Sequence, residues 1–293
     1  SPMSYSTFQR VRNKPFRIAV LFLGIISLVF SCQKQFSLNP AFSPITPEID
    51  RNTTVANIQG YVFDENNQPV QGASVKVADK SVLTNAYGTF FITGVTTSVH
   101  NTVIAISKTG YFNNIKTTMV RTGEDHFVKA QLMRKVLAKT FEASSGSKVT
   151  LANGSAVLIQ PNSIRLADGV TPYTGKVNVY MAWLNPAEYS VLYQMPGELR
   201  GIAEDGSEKS MQTFGMLNVQ LESEDNQKLQ LDNSKPATLN FPIPTSLSAA
   251  APVNVPMWYY NELTGRWVEE GKAQRNGSSY QTQVKHFTYW NVD

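Results

Sequence analysis

Histidines, thiols and paired carboxylates are the side chains that most often do chemistry, and this chain has few of them. Its three histidines are His100, His126 and His286, and its one thiol is Cys32. No histidine stands in a metal-ligand spacing such as H-E-x-x-H, and none adjoins a second histidine. Asp125 and His126 are neighbours, but adjacent residues on a strand point to opposite faces. Paired carboxylates occur at Glu124-Asp125, Glu222/Glu224 and Glu269-Glu270. Two carboxyl groups can share acid and base work across a glycosidic bond. Here each pair is expected in or near a turn or an exposed edge, as solvated charge. The run Asp64-Glu65-Asn66-Asn67 offers oxygen ligands to calcium, but it lacks the Asp-x-Asp-x-Asp-Gly loop and reads as a hairpin turn. The expectation is therefore no enzyme, no metal site and no cofactor.

Cys32 has a different setting. It follows the apolar run Ile18 to Phe30, which is shorter than the roughly 20 residues a spanning helix needs. Arg10, Arg12, Lys14 and Arg17 precede that run, with no acidic residue before it. A basic stretch, a short apolar run and a small residue make the layout of a secretory signal peptide. Val29-Phe30-Ser31-Cys32 resembles a bacterial lipobox, although Phe30 replaces the small residue common there. That resemblance implies cleavage after Ser31 and lipid on the Cys32 thiol and amine.

Removing residues 1–31 takes four of the 26 Lys+Arg and none of the 22 Asp+Glu, so the remaining charge is balanced. No concentrated basic patch remains, which argues against nucleic-acid binding. With its thiol committed to lipid, the mature chain also has no disulfide.

Aromatic residues are the next candidates. Trp258, Tyr259, Tyr260, Trp267, Tyr280, Phe287, Tyr289 and Trp290 gather in the last forty residues. On a strand, Trp258 and Tyr260 share one face, with Met257 and Tyr259 on the other. Exposed rings could meet sugar faces or a protein. Trp258, Tyr260 and Trp267 are expected in the core, and Tyr259 is the outward candidate for partner binding.

The elements that must position these residues are strands. Residues 32–55 form the lipidated cysteine and a flexible tether broken by Pro40, Pro44 and Pro47. From 56 onward, short β-rich runs alternate with Gly, Asn, Asp and Pro, which predicts an all-β chain of two β-sandwich domains, 56–134 and 136–293. Ala73, Val75 and Val77 alternate with polar residues, so one face is buried. The one helical signal is a short turn around Pro186 to Val191.

Ile58 to Val75 and Leu83 to Ile92 together resemble the carboxypeptidase regulatory-like domain, a transthyretin-type sandwich found before receptors and surface proteins of Bacteroidota. Asn85 stands where that family commonly has an acid. Asn85 to Gly88 also reads as a tight turn with positive φ at Gly88, sending Phe90 and Ile92 inward. Val157 to Ile164 resembles β domains of ankyrins and netrin receptors. Gly215 to Leu221, Ala237 to Ile243 and the hairpin Met257 to Trp267 resemble the cartilage intermediate layer family. These likenesses imply an extracellular β module without catalytic residues to carry over.

The expected function is a non-enzymatic, lipid-anchored envelope protein that binds or adheres to a glycan or protein partner. It would sit at the outer membrane, facing the surface or the periplasm. A structural spacer continuing past Asp293, an accessory subunit of TonB-dependent uptake and an unrecognised hydrolase are the alternatives. Cys32→Ala is expected to abolish fatty-acid labelling while leaving the β domains folded, because it removes the thiol that takes the lipid and lies ahead of the β-rich run. Metabolic labelling checks this; equal label on both forms would contradict it.

Overall fold

In the computed structural model, residues 52–293 are described. The expected signal peptide, Cys32 and most of the expected tether therefore lie outside the described residues. The first region holds β1 (Thr53–Asp64), β2 (Ser74–Val77), β3 (Lys80–Leu83) and β4 (Thr89–Ser98). It continues with β5 (Thr102–Ser107), β6 (Asn114–Thr118) and β7 (Asp125–Leu132). β1 begins ahead of the expected boundary at 56, because Thr53, Thr54 and Val55 already pair with Ser98, Thr97 and Thr96.

Two sheets, ordered β4-β1-β7 and β3-β2-β5-β6, face each other across one apolar core. β1 lies between antiparallel β4 and parallel β7. The alternation read from the sequence is realised: Ala73, Val75 and Val77 are fully buried with Ile58, Val62, Ile104 and Ile106. Phe90 and Ile92 point inward as expected. The turn before them closes through Asn85, whose side-chain oxygen accepts from the backbone N–H groups of Tyr87 and Thr89. Gly88 takes φ +71°, and a Cβ there would stand 2.4 Å from the Val62 carbonyl oxygen. Only glycine satisfies both demands.

The second region opens with β8 (Leu137–Glu142), β9 (Ser147–Thr150), β10 (Ala156–Ile159), β11 (Ile164–Leu166) and β12 (Lys176–Leu184). A single helical turn, α1 (Val191–Gln194), follows; it begins where the expected turn was to end. Then come β13 (Arg200–Ile202), β14 (Glu208–Ser210), β15 (Gly215–Ser223), β16 (Lys228–Leu231) and β17 (Ala237–Pro242). β18 (Asn254–Asn261), β19 (Arg266–Asn276), β20 (Ser279–Val284) and β21 (Tyr289–Val292) complete the described chain. These strands join in one 14-stranded sheet. The described chain is thus nearly all β, as the sequence predicts.

The central strands of this sheet are buried on both faces. Along β12, Val177, Val179 and Met181 enter one core, while Ala182 and Leu184 enter another. β15 does the same with Leu217, Val219 and Leu221 against Met216. A sheet covered on both sides needs strands apolar at consecutive positions. The first core is enclosed by the sheet itself. The second gathers Trp258, Tyr260, Trp267 and Tyr289 together with Phe112, Ile115 and Met133 from the first region. Gly201 allows this packing, since a Cβ there would come within 2.7 Å of the Trp258 ring.

Candidate functional site

The C-terminal aromatic residues mostly serve as core. Trp258, Tyr260 and Trp267 are buried, as expected, and so are Tyr280, Phe287, Tyr289 and Trp290. β18 sends Val255 and Met257 into the enclosed core and Trp258 and Tyr260 into the shared one. A register irregularity between Pro256 and Trp258 lies on its pairing with β19. Neither face of this strand is therefore an open aromatic platform.

Tyr259, the outward candidate, is half-buried. Its ring meets His286 edge-on at 5.0 Å and Trp290 at 5.9 Å. The His286 Nε2 lies 3.3 Å from Glu270 Oε2. Burial, and then the charge of Glu270, push the Tyr259 phenol pKa up. Tyr259 and His286 line a cavity of about 330 Å³ with Asn218, Gln220, Gln230 and Thr288. The cavity sits where one edge of β15 changes partner: Gly215 to Asn218 pair with β21, and Leu221 and Glu222 pair with β16. Gln230 stitches this gap, its amide donating to the Phe287 carbonyl and accepting from the Phe287 N–H.

The other polar candidates are engaged locally. His126 Nε2 accepts from the Arg121 N–H at 3.0 Å. Asp64 Oδ1 accepts from the N–H groups of Asn66 and Gln68, closing the Asp64-to-Asn67 turn. Asp125 accepts from Asn57 Nδ2. Glu222 departs from the expected solvated charge. It is buried and pairs with Lys135, whose ammonium lies over the Tyr180 ring at 4.6 Å. Its place on two-sided β15 takes it below the surface, where a carboxylate requires a partner.

A more open aromatic surface lies elsewhere, on the outer face of the β4-β1-β7 sheet. The register sets Phe91, Gln59 and Phe127 in one row across three strands. Phe91 is 49% exposed and Phe127 58%. The next row holds Thr89, Tyr61 and Lys129. Tyr61 stacks on Phe63 at 5.3 Å with a 12° tilt. Phe63 meets Tyr193 edge-on at 5.6 Å, and Tyr193 meets Tyr189 likewise. These four rings, with Asn67, Lys129, Gln131 and Ser190, line a cleft of about 430 Å³.

Tyr189 and Tyr193 reach this cleft on the segment around α1, which the first region holds in place. Asn114 Nδ2 donates to the carbonyls of Tyr193, at 2.9 Å, and Gln131, at 3.0 Å. Lys116 Nζ donates to the carbonyls of Leu192 and Met195. These bonds satisfy carbonyls that a helix end leaves without partners. Gln194 Nε2 donates to Gln131 Oε1. Burial pushes the Lys116 ammonium down to about 7. The sequence-based reading passed over this cleft. The available signal was Tyr61 and Phe63 standing in phase with Gln59 rather than with the buried Ile58 and Val62.

No family model matches the chain. Human cartilage intermediate layer protein 2 is 24% identical over 237 residues, covering 74% of this chain. The chain spans about a fifth of that protein's length. Among solved structures, a Bacteroides fragilis protein of unknown function, described as membrane-associated, aligns over 81% of this chain and 100% of its own, at 8% identity and TM-score 0.23. A Bacteroides uniformis protein described as carbohydrate-binding aligns over 64% of this chain and 88% of its own, at 9% identity and TM-score 0.23.

The buried Lys116 gives the fold a pH dependence of definite sign. Its amine titrates near 7 when folded and near 10.5 otherwise. Between those values the unfolded chain holds the extra proton, so raising the pH stabilises the fold. The slope approaches about 1.4 kcal/mol per pH unit inside that window and falls to zero below and above it. Lys116→Met is expected to flatten this part of the profile. Denaturant melts from pH 6 to 10 on both proteins check it; parallel profiles would contradict the assignment.

Proposed function

We propose that this chain is a non-enzymatic binding module of the bacterial cell envelope. In this reading, lipid on Cys32 anchors it in the outer membrane and a glycan docks on the outer β4-β1-β7 face. The row Phe91–Gln59–Phe127 carries the reading. Large exposed rings in register cost solvation, and contiguous exposed apolar surface marks an interaction site. The C–H face of a pyranose is apolar and can lie on such a ring, whose own face is electron-rich. Neighbouring strands stand about 4.8 Å apart, which places Phe91 and Phe127 about 10 Å apart, roughly two successive sugar rings. The Gln59 amide between them can bond sugar hydroxyls.

The polar contacts of the histidines and carboxylates support a binding role over catalysis. Glu222 is tied to Lys135, His126 to the Arg121 backbone and Glu270 to His286. A passive spacer has no use for exposed rings in register.

Phe91→Ala together with Phe127→Ala is expected to leave the fold intact, because both rings are half exposed. With about 1 kcal/mol for each ring contact, the pair should lower glycan affinity by roughly tenfold or more. Glycan-array binding of the full chain and of the double variant checks this. Equal binding by both proteins, or capture of proteins without any saccharide, would contradict the proposal.

A further inference from the structure

The cleft beside that row has a charge of its own. Its lining is Tyr61, Phe63, Tyr189, Tyr193, Asn67, Lys129, Gln131 and Ser190, so Lys129 is its one charged group and no acid lines it. Lys129 is exposed, stands opposite Tyr61 in the β1–β7 register and has no ion pair among the described residues. Gln131 is already committed, donating to the Asp64 carbonyl and accepting from Gln194. The tyrosine pair adds a directed donor. Tyr193 Oη donates to Tyr189 Oη at 3.3 Å, which leaves the Tyr189 hydroxyl proton to point away from Tyr193. Tyr189 is 73% exposed, so that proton is available to an incoming acceptor.

We infer that this cleft takes an acidic saccharide, a chain of uronic acids, with a sugar ring against the aromatic walls and its carboxylate between Lys129 and Tyr189. The stacked Tyr61–Phe63 pair forms one wall, and the edge-on Tyr193 sets a second roughly perpendicular to it. That corner suits a flat ring with one apolar face. A volume of about 430 Å³ falls within the roughly 300–1,000 Å³ of small-ligand clefts. Tyr61 follows Gln59 by two residues on β1, so cleft and aromatic row share one sheet face. A single extended chain can touch both. The inference rests on the glycan reading and adds its charge.

The test uses the full chain with oligogalacturonate and oligoglucuronate, and with the methyl ester of each, which keeps the ring and removes the charge. Calorimetric titration is expected to show an acid bound about tenfold more tightly than its ester, as one charge-assisted hydrogen bond supplies. Lys129→Gln should bring acid down to the ester's affinity, and Tyr189→Ala should weaken both. Raising salt from 50 to 500 mM should weaken the acid alone. Acid and ester binding equally, with Lys129→Gln silent, would overturn the acidic assignment while leaving the glycan reading standing. Failure of both acids, with neutral glycans still bound through Phe91 and Phe127, would do the same. Failure of every saccharide on the array would overturn both, and capture of an acidic peptide through Lys129 would replace the sugar with a protein partner.

Discussion

The aromatic cleft of this molecule depends on one sheet being covered on both faces. β12, β15, β18 and β21 send alternate side chains into two different cores. One core the sheet encloses alone. The other is completed by Phe112, Ile115 and Met133 from the first region, packed with Trp258, Tyr260, Trp267 and Tyr289. Burying a single large apolar side chain is worth about 1.5–3 kcal/mol, so a core of this size couples the two regions. That coupling brings β6 within reach of the α1 segment. Asn114 and Lys116 then bond the carbonyls of Leu192, Tyr193 and Met195, and Tyr193 comes to rest against Phe63. The aromatic cleft is thus a product of the shared core.

The nearly all-β character was legible because strand signals are local. Alternation at Ala73, Val75 and Val77, and the turn chemistry of Asn85 and Gly88, need only a few neighbouring residues to read. The core role of Trp258, Tyr260 and Trp267 was legible from size and apolarity. Glu222 was not, since charge alone predicts solvent and only its strand's two-sided burial brings it to Lys135. The cleft was only half legible, for a related reason. Tyr61 and Phe63 lie on β1 while Tyr189 and Tyr193 flank α1, and no periodicity connects them. The concentration of rings near the C-terminus drew attention to Tyr259, yet those rings mostly fill cores. The rings that face solvent in register are Phe91 and Phe127, one exposed ring on each of two separate strands.

The Tyr259 cavity and the β1 face illustrate two ways of leaving an aromatic partly wet. At Tyr259 the ring is clasped by His286 and Trp290, and the cavity fills a break in strand pairing that Gln230 bridges. Phe91 and Phe127 instead stand where the three-stranded ladder pairs regularly, from Ile58 to Tyr61 of β1, held by backbone bonds rather than by each other. The strand ladder thus sets the ring spacing through its backbone pairing.

The shared core is tested most directly by differential scanning calorimetry of the full chain and of Phe112→Ala. The wild type is expected to show one cooperative transition, because the regions cannot part without exposing Trp258, Tyr260 and Trp267. Phe112→Ala should lower its midpoint, consistent with the about 3–5 kcal/mol lost when a buried phenylalanine is truncated, and should begin to separate the regions' unfolding. Two independent wild-type transitions, with the substitution moving only the one that belongs to the first region, would contradict it.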